Sequence, residues 1–278
     1  MSAADPFRII GPALISFSSG RTSAYMLHRI VEAHGGVLPV DVLVTIANTG
    51  KERPESLAFA NECAQQFGVD LVWLEYRDGE NGQRWRRVDY DSASREGEPF
   101  DALIARKKFL PNVVARFCTQ ELKIRPMRDF ARALGWDHWT NVVGLRADEQ
   151  HRVAAIKTSS ERERWDIEVP LARAGITKRD ITAFWATKNW GLRLETVNDQ
   201  TPEGNCDLCF LKGEATLAGI IRKRPGVETW WVEKERQTGG TFSKRFSYSA
   251  LAARAQSPDL LSTLPSERFD DCYCTGVT

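Results

Sequence analysis

The sequence predicts an α/β fold with a doubly wound, mostly parallel sheet, and three observations predict it. Apolar runs of strand length recur at "PALISFS", at "VDVLVTIAN" (40–48) and at "VDLVWLEY" (69–76). The segments between them carry helical spacing, the pitch of βαβ units. The runs are apolar throughout rather than alternating, as strands covered on both faces require.

After the first strand, Ala24, Leu27, Ile30 and Val31 fall on one helical face. Pro54 opens the next helix, which carries Leu57, Ala60, Ala64 and Phe67 on one side and stops at Gly68. Residues 77–100, polar and glycine-containing, read as a long excursion, either a solvated loop or a lid. A helix follows near 121–134, ended by Gly135, then a strand over 138–145. The spacing predicts a helix over 175–192, capped by Thr177 with Asp180 and striped with Ile181, Phe184 and Trp185. After Cys206 the composition turns to tryptophan, arginine and cysteine without further clear strand–helix pairs. A boundary near 195–205 therefore divides a main domain, residues 1–200, from a cysteine-containing region, residues 201–278, packed against it.

With 42% hydrophobic and 27% charged residues, the chain is neither disordered nor collagen-like. A net charge of +1 supplies no global field toward nucleic acid or a membrane, so either would need a local basic patch. No run approaches the roughly 18 apolar residues of a membrane span. The opening "MSAADPFRIIGP" lacks the basic-then-apolar pattern of a leader. The expectation is a cytoplasmic protein with no membrane partner. There, six cysteines are expected as metal ligands or redox groups rather than structural disulfides.

Chemistry first concentrates in "SFSSGRTS". A glycine-containing turn between a parallel strand and a helix exposes backbone N–H groups beside a positive helix end, an anion site. Ser16, Ser18, Ser19, Thr22 and Ser23 add hydroxyls, Gly20 admits close approach, and Arg21 offers a cationic fork. The lysine and glycine spacing of a Walker loop are missing. The bland alternative is a serine-capped helix. Cys206 and Cys209 form a Cys-x-x-Cys pair that cannot complete a tetrahedral site alone. Cys118 and the terminal Cys272 and Cys274 are the candidates to finish it. Cys63 lies on an apolar helix face and reads as a buried small hydrophobe. Among the histidines only His151 has a suggestive context, and Trp185, Trp190, Trp230 and Trp231 read as packing.

The loop resembles the Ser-Gly-Gly-x-Asp-Ser PP-loop of the ATP pyrophosphatase and phosphoadenosine-phosphosulfate reductase superfamily. Three further stretches follow in that family's order: "TIANTGKERPESLAFANECAQQFG" (45–68), "RFCTQELKIRPM" (116–127) and "VVGLRADEQHRVA" (142–154). More loosely, "PLARAGITKRDITAFW" (170–185) resembles the helix before the family's Cys-x-x-Cys. The resemblance implies the adenine nucleotide alpha hydrolase-like fold and a substrate of ATP or adenylyl sulfate, with magnesium as a candidate companion of the phosphates. It implies nucleotide contacts from Ser16, Ser18–Ser23, Asn48, Thr49, Gly50, Gly144 and Arg152. Lys123 and Arg146 are implied to act on developing phosphate charge, with Arg125 nearby. Glu149 would orient a ribose or a metal, or pair with Arg152. Thr22 and Asn48 depart from the family's aspartates, and Ser19 from its glycine.

The cluster-bearing members imply a [4Fe–4S] cluster on Cys118, Cys206, Cys209 and Cys272, with four-cysteine zinc as the alternative. Cys274 would then be a mobile catalytic thiol. Three activities follow as expectations. The first is ATP-dependent sulfur transfer with α–β cleavage and pyrophosphate release, drawing on a sulfur donor and having tRNA or DNA as candidate acceptors. The second is sulfonucleotide reduction through a terminal thiol and a thioredoxin-like reductant. The third is a non-catalytic nucleotide- or metal-binding partner.

Overall fold

The structure, a computed structural model, describes residues 5–79, 82–159, 165–197 and 200–256. Cys272 and Cys274 lie outside the described residues. Six strands form one sheet in the order β4-β3-β2-β1-β5-β6. They are β1 (Ala13–Ser16), β2 (Val42–Asn48), β3 (Leu71–Tyr76), β4 (Trp85–Val88), β5 (Trp139–Val142) and β6 (Trp165–Glu168). All neighbours are parallel except β3 and β4. The chain moves outward from β1 through β2 to β3, then returns to place β5 on the other side of β1. The reversal puts a crevice beyond the carboxyl ends of β1 and β5, where open α/β sheets take their ligands.

The order follows from burial. β1, β2 and β3 are covered on both faces, so their apolar runs carry no alternation. On one face, α1 (Arg21–Ala33), α2 (Pro54–Phe67) and α8 (Lys178–Ala186) share an apolar cluster built on Ile15, Phe17, Leu27, Phe59 and Trp185. On the other, Phe130 and Ala131 of α5 (Arg125–Ala133) pack against Leu14, Leu74 and Trp139. Gly68 ends α2 in the left-handed region at φ 65°, and the Thr177–Asp180 capping box opens α8 as its spacing predicts.

Several expectations change. Residues 77–100 are not a simple excursion: they contain β4, an antiparallel edge strand, and reach α3 (Glu98–Lys107). Its antiparallel ladder to β3 is joined by Trp85 packing on Phe130 and by Arg86 reaching a carboxylate buried on β3, partners that local pattern cannot show. The predicted 121–134 helix begins earlier, as α4 (Phe117–Thr119) passing through a wide π turn (Gln120–Ile124) into α5. The predicted 175–192 helix stops at Ala186, and residues 188–193 run irregularly along the crevice. Unforeseen helices are α6 (Gln150–Ser159) and α7 (Pro170–Arg173). The region after Cys206 holds α9 (Glu214–Lys223), α10 (Thr229–Thr238) and α11 (Tyr248–Ala255). These three pack with α3 in a second apolar cluster around Phe100, Trp231, Phe242 and Tyr248.

Candidate nucleotide cleft and cysteine compartment

A cleft of about 750 Å³ opens at the reversal point. One wall is the turn from β1 into α1. Ser19 adopts φ 52°, and its hydroxyl donates to the Ser18 carbonyl at 2.7 Å. Ser23 Oγ accepts from the Ser18 backbone N–H at 3.2 Å and donates to the Gly20 carbonyl at 3.0 Å. The turn is thereby shaped from within before any ligand arrives, with Ser18, Ser19, Gly20, Arg21 and Thr22 on the cleft surface. Ser23 is buried, and Ser16 faces the other way, its hydroxyl on Met127 Sδ at 3.4 Å.

The second wall comes from the segment after β5. Gly144 sits so close to α1 that an added Cβ would lie 3.4 Å from Ser23 Cα. Beyond it, Glu149 Oε2 accepts from the Arg146 backbone N–H at 2.9 Å and lies 3.4 Å from its guanidinium. Arg152 holds the other oxygen of Glu149, and Arg146 Nε also donates to Asp148 at 2.9 Å. Arg146 and Arg152 line the cleft, whereas Arg125 pairs with Glu121 at 2.7 Å. His151 is exposed on α6.

The remaining boundary is the stretch from α8 to the Cys-x-x-Cys loop. Arg21 reaches across to it, donating to Thr196, to Thr201 at 3.2 Å and to the Leu192 carbonyl at 2.9 Å. The fork predicted to grip phosphate thus also ties the loop to this segment. Trp185 donates from Nε1 to the Arg21 carbonyl at 3.0 Å. Trp185 and Trp190 pack on Phe59 while their edges line the cleft. Seven basic side chains border the cavity: Arg21, Arg146, Arg152, Lys178, Lys188, Arg193 and Lys212.

Beside the cleft lies a compartment containing Cys118, Cys206 and Cys209. Cys206 and Cys209 are buried, and Cys118 is partly so. Cys206 Sγ is 3.5 Å from Thr49 Oγ1, and Thr49 in turn donates to the Glu52 carboxylate at 2.8 Å. The Lys123 ammonium, on the π turn, stands 3.8 Å from Glu52. Burial opposes its charge, but Cys206 and Glu52, with Cys209 and Cys118, more than offset that and raise its pKa. Lys123 does not line the cleft with Arg146; its ammonium lies near Glu52 and the three cysteines. Burial pushes all three thiols up, Cys118 to about 12, with Cys209 adding to the rise and Lys123 opposing it.

In metal-free protein, Cys118 is accordingly expected to alkylate slowly near about pH 8 and to accelerate well beyond the pH where an ordinary thiol has levelled off. Mass-spectrometric rates across pH check this; a plateau at about pH 9 would contradict it.

The 48–50 turn is arranged differently from the expectation. Asn48 is fully buried, donating from Nδ2 to Glu75 at 2.6 Å and to the Ser94 carbonyl at 2.8 Å. Its side-chain oxygen accepts from Gly50 N–H at 3.1 Å, so it does not face a nucleotide in this cleft. Gly50, at φ 77°, has no room for a Cβ, which would lie 3.0 Å from Gly97 Cα.

Lys212, which sequence reasoning missed, is buried at the junction of cleft and compartment. Its Nζ donates to the Cys206 and Asp207 carbonyls, both at 2.7 Å, and burial lowers its pKa. Asp207 pairs instead with Lys51 at 3.2 Å and accepts from Trp231 at 2.9 Å. A lysine three residues after Cys209 was the available signal. Lys178, Lys188 and Arg193 carried none, because only the fold gathers them. Cys63 is buried in the main core, as its helix position predicts.

The phosphoadenosine phosphosulfate reductase domain matches residues 12–190, spanning both cleft walls. The chain belongs to that family. A curated relative, an uncharacterized nin region protein of Escherichia phage lambda, is 27% identical over 224 residues, covering 77% of this chain and 71% of its own length. Among solved structures, phosphoadenylyl-sulfate reductase from Candida auris in a phosphate complex is similar at TM-score 0.37 and 15% identity, covering 70% of this chain and 91% of that one. U34-tRNA thiolase NcsA from Methanococcus maripaludis, with its [4Fe-4S] cluster, is similar at TM-score 0.43 and 12% identity, covering 87% and 80%. Within this reductase-family chain, no helix among the described residues is long and apolar enough to cross a membrane.

The donor chemistry of the compartment fits an iron–sulfur cluster. Three thiols and a facing ammonium suit a group that binds thiolates and carries net negative charge with them. Among the described residues no three His, Cys, Asp or Glu side chains are grouped closely enough to hold a metal ion, so ligation would require the thiols to draw together.

Proposed function

We propose that this member of the reductase family binds an adenine nucleotide in the cleft and uses it for sulfur chemistry beside the cysteine compartment. One observation carries the reading: seven basic side chains line a cleft at the sheet's reversal point, and its far end abuts the Cys206–Cys209 loop. The phosphate chain lies against the backbone and hydroxyls of Ser18–Thr22, with Arg146 and Arg152 on its opposite side. Cys118, Cys206 and Cys209 hold a [4Fe–4S] cluster, with Cys272 as its fourth ligand. When bound, a cluster ligated by four cysteines would supply a redox-active group beside the nucleotide and tie the carboxyl-terminal tail to it; zinc on the same thiols would supply only structure.

In ATP-dependent transfer, an acceptor oxygen attacks the α-phosphorus, the α–β bond breaks and pyrophosphate leaves with its electron pair. A sulfide-level donor then replaces the adenylated oxygen, releasing AMP. The loop N–H groups and Arg146 stabilise charge as it develops on the leaving pyrophosphate. tRNA or DNA is the acceptor class.

A second reading, sulfonucleotide reduction, is favoured by the family match. A Cys274 thiolate would attack the sulfate sulfur and displace the adenosine phosphate. A thioredoxin-like dithiol would then supply two electrons to release sulfite from the S-sulfocysteine, regenerating the thiol and leaving the dithiol as a disulfide.

Anaerobically purified protein is expected to be brown, with about four irons and four sulfides per chain, and Cys206→Ser is expected to lose them. Release of pyrophosphate from ATP supports transfer; release of sulfite from an adenylyl sulfate with a dithiol supports reduction. Colourless protein holding zinc would overturn the cluster, and absence of both products would overturn the enzymatic reading.

A further inference from the structure

The cleft offers seven basic side chains and, among its described lining residues, one carboxylate, Glu149. Both oxygens of that carboxylate are engaged, one by Arg152 and the other by the backbone and guanidinium of Arg146. The adjacent Asp148 is also committed, accepting from Arg146 Nε at 2.9 Å. In the loop itself Thr22 brings a neutral hydroxyl where the PP-loop pattern has an aspartate. Magnesium at a polyphosphate is ordinarily held by one or two protein carboxylates together with phosphate oxygens and waters. A neutral hydroxyl is a poorer donor to such a site than a carboxylate, and no uncommitted carboxylate lines this cleft among the described residues. The donor set does not fit magnesium.

We propose that the cleft binds its nucleotide as the metal-free polyanion. Guanidinium and ammonium groups stand in for the divalent cation, and the substrate class is an adenine nucleotide whose phosphate or sulfate oxygens are uncomplexed. The proposal rests on the nucleotide reading given above. Its physical basis is electrostatic: a magnesium-bound nucleotide carries two further positive charges into a cavity already in cationic excess, where like charges a few ångströms apart repel. The uncomplexed anion instead brings negative charge to these guanidinium and ammonium groups.

The test is calorimetric titration of full-length protein with ATP and with adenylyl sulfate, once in EDTA and once in excess magnesium chloride. Binding is expected in EDTA, and magnesium is expected to weaken the apparent affinity for ATP about tenfold or more. Binding that requires magnesium, or tightens with it, overturns the proposal while leaving the nucleotide reading intact. No binding in either buffer overturns the nucleotide reading and this proposal with it. Thr22→Asp restores a carboxylate and is expected to reverse the preference, with weak binding in EDTA recovered by magnesium; a variant still weakened by magnesium, or unaffected by it, counts against the proposal. Electron paramagnetic resonance of manganese with ATP and wild-type protein needs no variant. The manganese spectrum is expected to match that of the solution complex, and a protein-bound signal overturns the proposal.

Discussion

Replacing Glu75 by alanine is expected to lower stability by about 3–5 kcal/mol, because it strips the partner from several buried polar groups at once. Glu75 is wholly buried on β3. One oxygen accepts from Asn48 Nδ2 at 2.6 Å and from the Ser94 N–H at 2.6 Å. The other accepts from the Ser94 hydroxyl at 2.9 Å and from Arg86 at 2.7 Å. Without it, Asn48 and the Ser94 amide lose hydrogen bonds where water cannot replace them, and β4 loses the arginine anchor that holds it to the sheet. Asn48→Asp should also destabilise strongly by placing a second carboxylate against the first. Denaturant unfolding monitored by tryptophan fluorescence checks both; a loss under about 1 kcal/mol for Glu75→Ala would show the network to be peripheral.

Arg146→Ala is expected to weaken adenine-nucleotide binding about 10- to 100-fold, the range for losing hydrogen bonds to a charged group. The residue has two roles. Its guanidinium lines the cleft, and its bonds to Asp148 and Glu149 fix the turn after β5. Arg146→Lys retains the charge but not the fork, so it should recover only part of the affinity. Lys123→Met serves as contrast. Lys123 faces the thiols rather than the cleft, so this variant should spare nucleotide affinity and impair iron retention. Equal losses of affinity in Arg146→Ala and Lys123→Met would contradict the separation of cleft from compartment.

What was legible in the sequence was what neighbouring residues specify. The buried strands β1–β3 show as unbroken apolar runs, α2 shows its Pro54 start and Gly68 stop, and Thr177–Asp180 announces α8. The turn at Ser18–Ser23 was visible because hydroxyls and a glycine crowd the tip of a strand. What was not legible depends on distant partners. β4 presents exposed arginines to solvent, and Arg86 among them bonds to Glu75, eleven residues away and on another strand. Asn48 read as a nucleotide contact because nothing local reveals the carboxylate that captures it. Lys123 read as a phosphate ligand, but the π turn aims it at Glu52 and the cysteines. The cationic rim was invisible because Lys178, Lys188, Arg193 and Lys212 look like ordinary surface charges until the chain folds them around one cavity.

The β1–α1 turn and the segment after β5 are proposed to grip a nucleotide's phosphates between them. A crystal structure of the protein soaked with ATP or an adenylyl sulfate tests it most directly. Phosphate or sulfate oxygens are expected against the N–H groups of Ser18–Thr22 and within hydrogen-bond reach of Arg146. An empty cleft at millimolar nucleotide, or a nucleotide bound elsewhere on the molecule, would contradict it.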